Sequence, residues 1–236
     1  MTAEEMESRI MALEKKMGLL EDVNQIKRLQ YAYSYYVMRM MNAEIVDCFA
    51  DHPETGVYWL EGAWLGKEGV RRYFGVDTQR PEPLPEFFHQ VMPIAGVIDV
   101  EPDGKRAKAR WYTFGGHSLP AQGGAFRKSF VAGIYEMEYI KQNAVWKFLK
   151  VYWLIPYAIT IRNEDWRWPE TIGQSISNPQ APTAFPAADI PFDPEDPRFM
   201  AGYMLPFHYG HPVTGVATSE QSKNWNVINS KGRARP

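Results

Sequence analysis

Two of the five histidines in this chain stand where an imidazole could move a proton. His89 lies in PEFFHQVMP, where Phe87, Phe88 and Met92 make an apolar neighbourhood around one ring. Near neutral pH an imidazole can take or give a proton with little penalty, as abstraction from a phenol or an alcohol requires. The same surroundings also suit a hydrogen-bonded core histidine. His117 lies in FGGHSLPAQGG, at or just after a strand end and beside four glycines. Mobile glycines would let that hairpin act as a lid that carries His117 onto a bound molecule; an exposed loop histidine fits the segment equally well.

Aromatic residues make up 14% of the chain, with 8 Trp and 13 Tyr, and such residues bring polar tips that want partners when buried. Tyr31, Tyr33, Tyr35 and Tyr36 crowd one helical stretch, with Tyr31 and Tyr35 on one face and Tyr33 and Tyr36 on another, so only one pair can line a cavity. Arg39, one turn on, reads as a solvated surface charge. Along KARWYTF, alternation puts Ala109 and Trp111 inward and Arg110 outward, toward a subunit interface. A buried guanidinium would stabilise a phenolate or alkoxide, and Arg110 is kept among the catalytic candidates on that ground. Tyr58, Trp59, Trp64, Trp111, Tyr135 and Trp153 are the candidate walls, each with simple core packing as its alternative.

Other chemistries lack their residues. His208 and His211 are close in sequence but have no neighbouring carboxylate pattern, so no metal is expected. No Gly-rich phosphate loop opens a helix after a strand and no GxSxG elbow occurs, so no nucleotide cofactor and no serine nucleophile is expected. Cys48 is the only cysteine, which rules out an internal disulfide framework. The net charge of -2 offers no field for nucleic acid, and no apolar run is long enough to span a membrane. MTAEEMESRIMALEKK lacks the apolar stretch of a signal peptide, and a cytoplasmic location is expected.

The elements that must position these residues follow from periodicity. Residues 3–41 read as helix through Ile10, Leu13, Met17, Leu20, Val23, Ile26, Leu29 and Tyr33, with Gly18 as a dividing point and Glu21 and Asp22 in the first turn of the second half. A short helix over AEIVDCFAD, a strand GVYWLEGAW and an amphipathic helix KEGVRRYFGV follow. Beyond the proline-stiffened RPEPLPE come four long antiparallel strands, FFHQVMPIAGVIDV, KRAKARWYTFGGHSL, FRKSFVAGIYEMEYIKQ and VWKFLKVYWLIPYAITI. Helices followed by a meander give the α+β class, here a cone-shaped barrel of curved antiparallel sheet wrapped around the N-terminal helices. The expected organisation is a helix over residues 1–21, a barrel domain over 22–168, and a Pro-rich extended arm over 169–236 anchored by Phe185, Phe192 and MLPFHYGHPV.

The segments IKRLQYAYSYY, EIVDCFAD, WLGKEGVRRYF, FFHQVMPIAGVIDV, AGIYEMEY and VWKFLKVYW, together spanning roughly residues 22–163, resemble the SnoaL-like branch of the nuclear transport factor two superfamily. Within it the chain is similar to scytalone dehydratases, to bile-acid dehydratases, and to the cofactorless lyases that remove formaldehyde from lignin-derived diarylpropanes and phenylcoumarans. The resemblance implies a catalytic histidine at His89, a second at His117 and a substrate-orienting tyrosine at Tyr33. The dehydratases' helix aspartate, five residues after that tyrosine, is Met38 here, which turns the expectation from dehydration toward the lyases. The function implied is a cofactor-independent lyase for a small aromatic compound; a dehydratase or isomerase using an inward carboxylate such as Asp47 or Glu61, and a non-catalytic binding module, are the alternatives. A homo-oligomer is implied, trimer ahead of dimer.

Overall fold

The computed structural model describes residues 1–59, 62–75, 88–120, 126–160 and 210–217. The proline loop before His89, the Gly-rich hairpin after Pro120, Glu61, Phe185, Phe192, His208 and most of the arm lie outside these residues.

The first helix, α1 (Ala3–Met38), begins at a capping box in which Thr2 Oγ1 accepts from the Glu5 N–H at 3.1 Å and Glu5 Oε2 accepts from the Thr2 N–H at 2.8 Å. Gly18 does not divide it: the helix runs unbroken through 36 residues, so Asp22, expected at a helix start, lies mid-helix. Asp22 is buried, paired with Lys141 Nζ at 2.5 Å and accepting from Trp146 Nε1 at 2.9 Å. From there Ile26, Leu29, Tyr33, Tyr36 and Val37 recur every three or four residues and press one face into the core.

A short α2 (Asn42–Asp47) follows, ending earlier than the sequence suggests. The expected strand GVYWLEGAW is a hairpin instead, β1 (Gly56–Trp59) and β2 (Gly62–Leu65). Next comes α3 (Gly66–Phe74), closed by Gly75 in the left-handed conformation at φ 62°. The meander is β3 (Phe88–Val100), β4 (Arg106–Pro120), β5 (Phe126–Gln142) and β6 (Val145–Thr160). The sheet order is β2-β1-β6-β5-β4-β3. It is mixed rather than wholly antiparallel, because β1 runs parallel to β6, with Val57 opposite Val151. Register shifts at Pro93/Ala95, Ala132/Ile134 and Glu138/Tyr139 bend the long strands, and the curved, unclosed sheet packs on α1 through β3 and β6.

The core is organised by alternation. Ala107, Ala109, Trp111, Thr113 and Gly115 of β4 face inward, and Lys108, Arg110, Tyr112 and Phe114 outward. Trp111 Nε1 donates to Tyr139 Oη, which donates to Gln30 Oε1, both at 3.0 Å, so a polar thread joins β4, β5 and α1 inside the core. A Cβ on Gly96 would lie 2.3 Å from the Trp111 ring, which explains a glycine in the middle of β3.

Residues 210–217 pack against the helices. His211 stacks on Tyr36 at 5.1 Å between ring centroids, and its Nδ1 accepts from the N–H groups of Val213 and Thr214. That leaves Nε2–H to donate to the Glu44 carbonyl at 2.8 Å, with Cys48 Sγ 3.6 Å away. Among the described residues no helix is long and apolar enough to cross a membrane.

Candidate functional site

His89 and His117 are direct partners across β3 and β4, and Ser129 of β5 continues the row. Their rings stack with centroids 4.5 Å apart and planes 11° from parallel. His117 is therefore inside a strand, not in a loop or at a strand end. The strands approach closely beside the pair: a Cβ on Gly115 would lie 1.7 Å from the Gln90 carbonyl oxygen, so any side chain there would push β3 and β4 apart.

The His89 residue as a whole is half-buried, but its Nδ1 is sealed from solvent and has no hydrogen-bond partner. Burial, then the charge of a protonated His117, pushes its pKa down to about 3; the nearby backbone of His89 itself and of Val37 only partly offsets this. The imidazole is neutral at pH 7 and presents one uncommitted nitrogen. Farther along the same face of β4, Thr113 Oγ1 is also buried without a partner.

An aromatic group occupies the next part of the inner face. Tyr135 and Trp153 meet at 4.4 Å between ring centroids, Tyr33 and Tyr135 at 6.4 Å, Tyr73 and Trp64 at 4.6 Å, and Tyr73 and Trp59 at 5.5 Å. Burial and the neighbouring phenols raise the pKa of Tyr33, and burial followed by Tyr73 raises that of Tyr135, so both hydroxyls stay protonated as donors. The Trp59 indole N–H is enclosed and has no acceptor. Trp153 reaches from β6 across Gly133 of β5, where a Cβ would lie 2.2 Å from its ring. Tyr33 is one helical turn from Val37, but its ring turns toward Phe148, at 5.0 Å, and Phe49, away from the histidines.

Several sequence-based candidates lie elsewhere. Arg110 is on the outer face with its guanidinium 2.5 Å from Glu136, the place alternation gives it, and it does not approach the histidines. Tyr58 stacks on Tyr152 at 4.2 Å on that outer face, beside Lys150 and Glu138. Trp111 is a fully buried core residue with its N–H already committed to Tyr139. Asp47 is exposed, so it supplies no inward carboxylate. Arg39 is buried rather than solvated, and desolvation lowers its pKa to about 10. Tyr31 and Tyr35 are the exposed pair and Tyr33 and Tyr36 the buried one.

The residues that sequence reading missed are Tyr73, Thr113 and Ser129. Tyr73 follows the basic pair Arg71-Arg72 in an amphipathic helix, and only the hairpin packing of β1 and β2 turns it toward Trp59 and Trp64. The signal for Thr113 and Ser129 was parity: each is an even number of residues from an inward neighbour, Trp111 or Tyr135, on its own strand. Among the described residues no group of three or more His, Cys, Asp or Glu is placed to hold a metal ion.

Comparison with known proteins agrees with this architecture. The fold is similar to hexachlorocyclohexane dehydrochlorinase LinA-type3 from Novosphingobium barchaimii LL02, with 16% identity, TM-score 0.50, and coverage of 65% of this chain and 99% of that one. LinA type 2 matches at 16% identity and TM-score 0.51, over 65% of this chain and 98% of its own. A protein provisionally described as a scytalone dehydratase, from Novosphingobium aromaticivorans DSM 12444, matches at 18% identity and TM-score 0.49, over 63% and 93%. No curated protein sequence matches the chain. The profile of the SnoaL-like domain matches residues 19–152, more than half the chain and the span that holds α1 from its last exposed turn, the histidine pair and the aromatic group up to but not including Trp153; the chain belongs to the SnoaL-like family.

Proposed function

We propose that this chain is a cofactor-independent lyase that acts on a small two-ring phenolic compound and releases formaldehyde, with His89 as the proton acceptor. The observation that carries the reading is the stacked histidine pair on the inner face with Nδ1 of His89 uncommitted. Burial keeps the His89 ring neutral, so it waits as a base and gains its proton when the substrate develops the compensating negative charge. His117 holds the ring in its plane and orients a second substrate oxygen.

Size argues for two rings. Ser129, level with the histidines, and Gly133, under the Trp153 indole, are four residues apart on β5, about 13 Å of strand. The side chains of the row between them, Gly115 and Val131, are small. One ring would stack on Trp153 and Tyr135, contributing about 0.5–1.5 kcal/mol beyond area burial, while Tyr33 and Tyr135 donate to its phenolic oxygen.

For a diaryl-propane-1,3-diol the steps balance without a cofactor. The para-phenol ionises, the benzylic hydroxyl leaves as water, and a quinone methide forms. His89 takes the proton of the terminal hydroxyl, the carbon–carbon bond to that carbon breaks, formaldehyde departs, and the electron pair flows to the phenolic oxygen, giving a stilbene phenolate that regains its proton as His89 gives one up. The net change is diol to stilbene, formaldehyde and water. LinA, which shares the fold, is by its description a dehydrochlorinase. The dehydratase reading needs an inward carboxylate: Asp47 is exposed and the Met38 position lacks one, while Glu61, the other carboxylate it could use, lies outside the described residues.

The test is incubation of the full chain with a para-hydroxylated diarylpropane-diol, following stilbene fluorescence and formaldehyde together. Both products in equal amounts, lost in His89→Ala while binding of the stilbene persists, support the lyase. Loss of water without formaldehyde supports the dehydratase, and binding without turnover in the wild type supports the non-catalytic module.

A further inference from the structure

Before Asp22, α1 projects from the described fold with nearly every side chain exposed. Its apolar residues are ordered: Met6, Ile10, Leu13, Met17 and Leu20 recur at alternating steps of four and three, each with between 47% and 68% of its surface exposed. This is a heptad seam, with Ile10 and Met17 at a positions and Met6, Leu13 and Leu20 at d positions. It is not an overhang of the core-facing stripe. At about 100° per residue the seam lies about 180° around the helix from Asp22, Ile26, Leu29 and Tyr33. The helix presents one apolar face to its own body and, before residue 21, the opposite face to something else.

The charges beside the seam identify the partner. The e positions are Glu7, Glu14 and Glu21, and the g positions Arg9 and Lys16. In a parallel pair each g residue faces the e residue five positions on in the other strand, so Arg9 meets Glu14 of the partner subunit and Lys16 meets Glu21 of the partner subunit. In an antiparallel pair e faces e and g faces g, which sets glutamate against glutamate and cation against cation. Ile10 at a with Leu13 and Leu20 at d favours two strands, and Asn24, at the next a position and exposed, is the polar residue that fixes register in such dimers. An isolated surface helix of this length gains little stability alone, which gives the seam a reason to pair. We infer that residues 3–21 form a parallel two-stranded coiled coil with a second copy of this chain. This interaction surface is separate from the histidine site and stands whatever that site does.

Sedimentation of the full chain is expected to give a dimer. Leu13→Glu and Ile10→Glu, both at exposed positions, are expected to halve the mass while the circular dichroism of the sheet and its melting are retained. Leu20→Cys should cross-link to itself on oxidation, since an antiparallel pair would set residue 20 against residue 6 and the sole native cysteine, Cys48, is buried. A variant with Arg9→Glu and Lys16→Glu should be monomeric alone and dimerise when mixed with one carrying Glu14→Lys and Glu21→Lys. A monomeric or trimeric wild type, an oligomer that Leu13→Glu leaves intact, failure of the Leu20→Cys cross-link, or binding of the segment to anionic vesicles in place of self-association would each overturn the inference.

Discussion

The indole of Trp153 lies against Gly133, so close that a single methyl group on Gly133 would sit 2.2 Å from the ring. Gly133→Ala is therefore expected to displace Trp153, costing about 1–3 kcal/mol through overpacking. Tryptophan fluorescence and a thermal melt measured together check this. An unchanged spectrum at unchanged melting temperature would show that the indole is not seated there.

His89 sets a pH dependence whose sign is fixed by burial. Its folded pKa, about 3, is below the ordinary histidine value, so between about 6.5 and about 3 the unfolded chain binds the proton that the folded chain refuses. The stability due to neutral burial is complete above about pH 6.5 and is lost as the pH falls toward 3, a change on the order of a few kcal/mol. His211, also lowered by burial, acts in the same direction. Denaturant melts from pH 7 to 4 should show a shallower slope in His89→Gln than in the wild type. Equal slopes would mean that His89 is solvated.

Removing the Tyr139 hydroxyl would strand two groups at once. Tyr139→Phe leaves the Trp111 N–H and the Gln30 carbonyl without their shared partner, and a loss of about 1–3 kcal/mol is expected from urea unfolding. Stilbene binding should persist, because Trp111 is a core residue and not a wall.

The tail segment is held by a tautomer. Protonation of His211 or His211→Ala removes the acceptor for the Val213 and Thr214 N–H groups, and the residues around 210–217 should then become cleavable in limited proteolysis while the sheet stays intact. Protection equal to that of the wild type would contradict this.

The order of elements was legible in the sequence because the long strands carry strict alternation and the helices carry three-four spacing. Alternation along KARWYTF sorts Trp111, in the core beside Tyr139, from Arg110, on the outer face beside Glu136. What could not be read was pairing. The stacking of His89 on His117 depends on β4 continuing through Gly115 and Gly116, residues that in isolation look like a turn. The parallel neighbour of β1, the burial of Arg39 and the packing of Tyr73 against Trp59 and Trp64 all come from contacts more than thirty residues away in sequence or between separate elements. No local pattern encodes them.

The parallel pairing of Val57 with Val151 also governs the order in which the molecule can be assembled. The hairpin that contains Val57 is made early on the ribosome, yet its place in the sheet does not exist until the last long strand has emerged, more than ninety residues later. During that interval the Tyr73, Trp59 and Trp64 surface has no sheet to rest on. Nascent chains stalled before residue 145 should accordingly be protease-sensitive and engage chaperones, whereas those stalled well beyond residue 160 should not.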